Sequence, residues 1–262
     1  MKQFIRLMLC QITLHTCLLT GLSGQTKPIS NSAWDIKKLN TAAGASYMKD
    51  NEKEMIFEIN KLRSNPGKFV EYLNPYLVKA GYNLQKYGKG QKSYSLTSTY
   101  TTSYTTDGDK QVIKVDTIWH FINEEELKAI ESLIADLKAM KPLSILKPSK
   151  RIYNAAKKHA LDQMPTGTMN HLGTDGSWPW DRIKKFAPEM EEGNENIACG
   201  ENIALEVVIQ LLIDSGIPGY GHRKTLLNPK WTHCACYCAG VINKNVNCTH
   251  WIQNFGAAKG SK

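Results

Sequence analysis

Two histidines and a glutamate carry the chemical content of this chain: His171, Glu195 and His222, separated by 24 and 27 residues. Two imidazoles and one carboxylate are the ligand set of a zinc site that keeps a water position open. The same residues are equally the parts of a metal-free acid/base cluster. Asp214 and Glu201 are further acidic candidates around the same segment. Glu201 sits in GEN at 200 to 202, which echoes NEN at 194 to 196, and reads as a first-turn acid at the positive end of the following helix. Ser215 next to Asp214 raises a Ser/His nucleophile, but no G-x-S-x-G elbow surrounds it. His159 lies on an apolar helix face and reads as a core histidine bonded to a neighbouring carbonyl.

Bringing these groups together sets a demand on the fold. The apolar run 204 to 214, ALEVVIQLLID, reads as a helix of about 15 Å with Glu195 before it and His222 after it. Glu195 meets His222 only if its strand folds back beside the far end of that helix, as a sheet packed under the helix allows. His171 opens the Gly-rich stretch NHLGTDGS at 170 to 177, an irregular, site-forming loop.

The remaining elements follow from pattern and punctuation. Asp50 with Met55, Ile56, Ile59 and Leu62 begins a first helix, and Asn65-Pro66 opens a second. Asn123 starts a helix striped by Leu127, Ile130, Leu133 and Leu137, and Ser149 starts another whose face is Ile152, Ala155, Ala156, His159 and Ala160. A short helix covers 181 to 187. Residues 88 to 118 are rich in Thr, Ser and Tyr, with Asp107-Gly108 as a turn, and read as an exposed hairpin insertion. The tail reads strand, turn, strand: THCACYCAGVI, NKNVN, CTHWIQNFG. Helices flanking an antiparallel sheet give one α+β domain with no internal repeat.

Composition limits the function classes. The formal charge is +9, but Lys2 and Arg6 fall in an acid-free leader, and the other basic residues are interleaved with acids and lack aromatic spacing, which excludes a nucleic-acid platform. Residues 1–24 read as an export signal, with Gly21, Ser23 and Gly24 before the cleavage point. The alternative is an amino-terminal membrane anchor, which Gln11, Thr13, His15 and Thr16 weaken. Residues 25–49 lack periodicity and read as a loose arm. Past the leader stand Cys199, Cys234, Cys236, Cys238 and Cys248, an odd set that leaves at least one thiol unpaired. Alternation puts Cys234, Cys236 and Cys238 on one strand face, where neighbours are poorly placed to bond each other, so Cys248 or Cys199 are their expected partners. C-x-C-x-C lacks the loop geometry of a zinc knot. Asn247-Cys248-Thr249 is an acceptor sequon for an exported chain.

GTDGS after His171, ENI at 195 to 197 and GHRKTLLNP at 221 to 229 resemble the CAP superfamily of cysteine-rich secretory, antigen 5 and pathogenesis-related class 1 proteins, in its bacterial-like branch. INKLRSNPGKF and AAKKHALDQ fit the same pattern, over roughly residues 50 to 256. The resemblance implies a CAP/SCP domain over 50–262, folded as a three-layer α-β-α sandwich around a central antiparallel sheet, with the hairpin inserted. It implies a cleft holding two histidines and two acids, often able to bind a divalent metal such as zinc. His171 and His222 match the histidines and Glu195 the first acid. For the second the chain offers Asp214, shorter than a glutamate. Three functions follow: a secreted, non-enzymatic protein that recognises a lipid, a sterol or an extracellular surface; a metal-dependent hydrolase in which His171 and His222 hold the ion and Glu195 is ligand or base; and a cell-wall or host-interaction module using the hairpin.

Overall fold

The computed structural model describes residues 33–103, 110–167, 169–243 and 248–260. The leader, the hairpin turn at Asp107-Gly108 and the sequon residue Asn247 lie outside the described residues.

The fold mixes helix and strand as α+β. Helices α1 (Ile36–Leu39), α2 (Asp50–Ser64), α3 (Pro66–Phe69) and α4 (Asn74–Tyr87) come first, with a 3-10 turn over Val70–Leu73. Strands β1 (Lys92–Ser103) and β2 (Lys110–Phe121) follow, then α5 (Ile122–Ala139), β3 (Lys147–Pro148), α6 (Lys150–Gln163) and α7 (Pro179–Phe186). The chain continues with β4 (Met190–Gly200), α8 (Ala204–Ile213), α9 (Gly221–Leu226), β5 (His233–Asn243) and β6 (Cys248–Ala258). Side chains cap several helices where the sequence places them: Asn65 Oδ1 accepts from Lys68 N at 3.0 Å, and Ser149 Oγ from Ile152 N at 3.3 Å.

The hairpin β1–β2 stands as its own antiparallel pair, and the main sheet runs β3-β5-β6-β4. The sheet is not wholly antiparallel, because the two-residue strand β3 pairs parallel with β5 at one edge. β4 is the other edge strand, bonded only to β6. One sheet face meets α6: a methyl group on Gly256 would stand 2.8 Å from the Ile152 side chain. The opposite face meets α2 and α8, with Gln253 Nε2 against Met55 Sδ at 3.1 Å and Gly200 too close to Gln210 for any Cβ. α8 buries Val207, Val208, Ile209, Leu211 and Leu212, as expected of a helix covered nearly all round.

Two expectations are corrected. The arm read as loose is packed from Trp34 onward: Trp34, Leu39, Ala42, Ala45 and Met48 are buried, and Trp34 Nε1 donates to Tyr72 Oη at 2.9 Å. Its apolar residues enter the core singly, from one short helix and a run of turns, so no period marks them. Cys199 and Cys248 bond each other instead of partnering the alternating cysteines. Cys199 lies opposite His250 in the β4–β6 register, and Cys248, two residues along β6, shares that sheet face. Cys234, Cys236 and Cys238 are free and buried, and burial pushes the Cys234 thiol up to about 12 against the opposing pull of Arg63.

Candidate functional site: two histidine–carboxylate pairs

β4 carries Glu195, whose side chain faces α6 and α7 and is buried. Its Oε1 lies 3.0 Å from His171 Nδ1, and Arg182 Nη2 stands 3.0 Å from both carboxylate oxygens. The same guanidinium group donates to the His171 carbonyl at 2.9 Å and to the Ser177 carbonyl at 2.6 Å. Arg182 therefore ties the histidine loop to the strand. The loop is tied to α6 as well, by Thr174 N to Asp162 at 2.8 Å and by the Lys158–Asp175 ion pair at 2.5 Å.

Behind Glu195 lies a second layer of polar groups. His159 Nε2 is 2.7 Å from the Asn170 carbonyl, as read from the sequence, and also 3.6 Å from Glu195 Oε1. Burial lowers the His159 pKa against the pull of Glu195. With its amide turned to suit its neighbours, Asn254 donates to Glu195 Oε2 at 3.0 Å. His250, fully buried on β6, is pushed down to about 4 by burial and then by His159, while Glu195 opposes the shift.

The other pair is built at the far end of α8. Asp214 ends that helix in the left-handed region at φ 55°, and there its Oδ1 meets His222 Nδ1 at 2.7 Å while Oδ2 accepts from His222 N at 2.9 Å. The shorter acid reaches the histidine because the backbone turns sharply at its own Cα. Tyr220, at φ 53°, is the other described non-glycine residue with positive φ, so both strained positions bound the loop that presents His222. Asn196, the residue after Glu195, donates to the His222 carbonyl at 3.3 Å, and Asn194 to Thr225 at 3.1 Å. The edge strand thus touches α9 beside His222 through Asn194 and Asn196.

The sequence candidates are engaged in two histidine–carboxylate pairs. Glu195 pairs with His171, and Asp214 pairs with His222. Among the described residues no three His, Cys, Asp or Glu side chains are arranged to hold a metal ion. Glu201 is exposed and lies before the helix instead of in its first turn, where Glu206 stands, and its carbonyl accepts from Trp251 Nε1 at 3.0 Å. Ser215 is exposed, and Asp214 occupies the Nδ1 of His222.

An ionised carboxylate only accepts, so Nδ1 is the donor of each imidazole to its acid, and a neutral ring in that tautomer presents its lone pair on Nε2. The carboxylates are shut in, at 0% and 2% side-chain exposure. The imidazoles are open, at 43% for His171 and 23% for His222. Buried acids orienting accessible imidazoles match the outer-shell pattern of metal-binding histidines. Sequence reasoning missed Arg182 and His250. Arg182 carried one available signal: a buried glutamate on a strand requires a cation, and PWDR follows the His171 loop directly.

The far side of α9 borders a groove of about 550 Å³, lined by Met140, Leu227 and Pro229 with Asp136, Tyr220 and Arg223. Arg223 is buried there, its guanidinium carbon 4.0 Å from the Tyr220 ring centre and Nη1 3.2 Å from Asp136. The hairpin reaches the same loop, since Ser95 Oγ donates to the Gly216 carbonyl. Among the described residues no helix is long and apolar enough to cross a membrane.

Comparison with known proteins bears on this arrangement. The cysteine-rich secretory protein family (CAP) matches residues 131–255, so the resemblance traced from residue 50 is matched from within α5 onward. The uncharacterized protein YkwD of Bacillus subtilis (strain 168) is 28% identical over 136 residues, covering 51% of this chain and 48% of that protein. The match therefore spans about half of that relative's length. Among solved structures, an outer surface protein from Borrelia burgdorferi is 25% identical, with 52% of this chain and 95% of that one covered at a TM-score of 0.38. An extracellular protein containing a SCP domain from Bacillus anthracis str. Ames is 17% identical, with 64% and 65% covered at 0.34. At such TM-scores neither superposition bears on the layering of the fold. The matched segment holds both histidines and both of their carboxylate partners, and over it the chain matches the CAP, or cysteine-rich secretory protein, family and a relative of bacterial origin.

Proposed function

We propose that this chain is a secreted CAP protein of three-layer α-β-α build that recognises a lipid, a sterol or an extracellular surface without catalysing a reaction. His171 and His222 would face a common cleft at the β4 edge and hold a divalent metal such as zinc. The observation that carries the reading is the paired orientation: each accessible imidazole is fixed through Nδ1 by a buried carboxylate. Bound there, the ion would act as a Lewis acid or bridge to an anionic ligand group. The donor set fits a weakly held ion. Hydrolytic zinc sites use three protein ligands, whereas both Glu195 oxygens are held by Arg182, which leaves two imidazoles. The groove beside α9, at about 550 Å³, is of the size that takes small ligands, and Met140, Leu227 and Pro229 suit an apolar one.

Zinc calorimetry on the chain from residue 25, with His171→Ala and His222→Ala, tests the metal. Each variant should lose affinity by about tenfold or more. Equal affinity in all three proteins would show the imidazoles to be structural. Zinc-dependent cleavage of a peptide library that vanishes in the double variant would replace this reading with the hydrolase one.

A further inference from the structure

The inserted hairpin has two faces, and one of them is accounted for. In the β1–β2 register Ser93 lies opposite His120 and Ser95 opposite Ile118. This face touches the loop after α8, where Ser95 bonds the Gly216 carbonyl and His120 Nε2 comes within 3.5 Å of the position of a Cβ on Gly216. The other face carries the pairs Lys92–Phe121 and Tyr94–Trp119. It is a ring-and-ammonium surface: the Tyr94 and Trp119 rings are 5.3 Å apart at 54°, Lys92 lies 5.0 Å over Trp119, and Lys89 lies 5.6 Å over Phe121. Trp119 is 59% exposed, far beyond what a core indole shows. A second such group stands just upstream, where Lys86 lies 5.1 and 5.2 Å over the exposed Tyr82 and Tyr87 rings.

We propose that the face formed by Tyr94, Trp119 and Phe121 with Lys89 and Lys92 is a binding platform for an acidic polysaccharide. Three features select that chemistry. Exposed rings offer flat, electron-rich faces to the C–H faces of sugars. The Tyr94 phenol adds a hydroxyl to this face, a donor-acceptor that suits a polyol. Lys92 gives the face a positive sign, while Lys89 shares Glu124 with Lys128, at 3.6 and 3.3 Å. Nucleic acid is disfavoured because Lys92 and the Glu124-paired Lys89 are few cations for a ligand with one charge per phosphate. This platform goes beyond the histidine-site reading and does not depend on it.

The test is affinity electrophoresis of the chain from residue 25 through gels containing polygalacturonate, hyaluronate or neutral dextran. Co-sedimentation with phosphatidylcholine/phosphatidylglycerol vesicles and titration with a dT oligonucleotide run alongside. Retardation by an acidic glycan and not by dextran is expected. Trp119→Ala should weaken it by about tenfold, with unchanged circular dichroism, since one stacking ring is lost. Lys92→Ala should weaken it more than Lys230→Ala, which removes the same charge from another element. Retardation by neither acidic polymer would overturn the proposal. So would retention indifferent to Trp119→Ala, or binding of vesicles or oligonucleotide in place of glycan.

Discussion

Arg182 and Glu195 form a buried pair in which one guanidinium nitrogen stands 3.0 Å from each carboxylate oxygen, both side chains shut off from solvent at 1% and 0% exposure. The pair lies beneath His171 and is bonded to it from both sides, to the ring through Glu195 and to the carbonyl through Arg182. It is the structural foundation of the first histidine. Removing one member of such a pair leaves a charge unpaired in the interior. Arg182→Met is therefore expected to cost about 3–5 kcal/mol in urea unfolding, and Arg182→Met/Glu195→Gln clearly less than the sum of the single changes. Additive costs would mean that the two groups do not act as a unit.

The asymmetry between what the sequence showed and what it hid follows from the same pair. His171, Glu195 and His222 were legible because loop punctuation and motif order mark them, and the α8 run was legible because an all-round apolar helix has no other reading. Arg182 was hidden. Read along the chain it is one cation among Lys184 and Lys185 on a short helix, and only the tertiary approach of β4 makes it the buried one. His250 was hidden likewise, lying inside a strand whose burial pattern is continuous on both faces, so alternation does not separate it. Asp214 was named but not placed, since a positive φ on a non-glycine residue leaves no mark in composition. The Cys199–Cys248 bond needed the β4–β6 register, which no spacing within either strand supplies.

The orienting role of Asp214 makes a spectroscopic prediction. Asparagine tolerates the left-handed region, so Asp214→Asn keeps the backbone and removes the charge. Nitrogen-15 NMR of the imidazoles should show His222 protonated on Nδ1 in the parent chain and a shift toward the other tautomer in the variant. Thermal stability should change little. Zinc affinity should fall by about tenfold or more, as when an outer-shell carboxylate is lost. An unchanged His222 tautomer would remove Asp214 from the site.

His250 predicts how stability responds to acid. Its folded pKa is lowered to about 4 by burial, against an unfolded value of about 6.5. Between those values the unfolded chain binds a proton that the folded chain does not, so stability rises with pH across that window. The contribution is complete above about pH 6.5 and is lost progressively as the pH falls toward 4, a difference of roughly 3 kcal/mol. Urea midpoints at pH 7 and pH 4.5 should differ by less in His250→Phe than in the parent chain. The same pH sensitivity in both would assign the acid response to other groups.

The cysteines yield the last prediction. The Cys199–Cys248 bond closes a sequence separation of 49 residues, which constrains the unfolded chain by about 4 kcal/mol in the loop-entropy picture. Cys199→Ala/Cys248→Ala should unfold at correspondingly lower urea, and reductant should lower the midpoint of the parent chain but not of the variant. Cys234, Cys236 and Cys238 are buried free thiols, and burial raises all three pKa values, so too little thiolate forms near neutral pH for fast reaction. With the chain from residue 25, an aromatic disulfide reagent should therefore find no fast-reacting thiol in the folded protein and three after unfolding. Five thiols on unfolding would show the bond absent. One thiol would mean that two of the three alternating cysteines also pair, against their placement on one strand face.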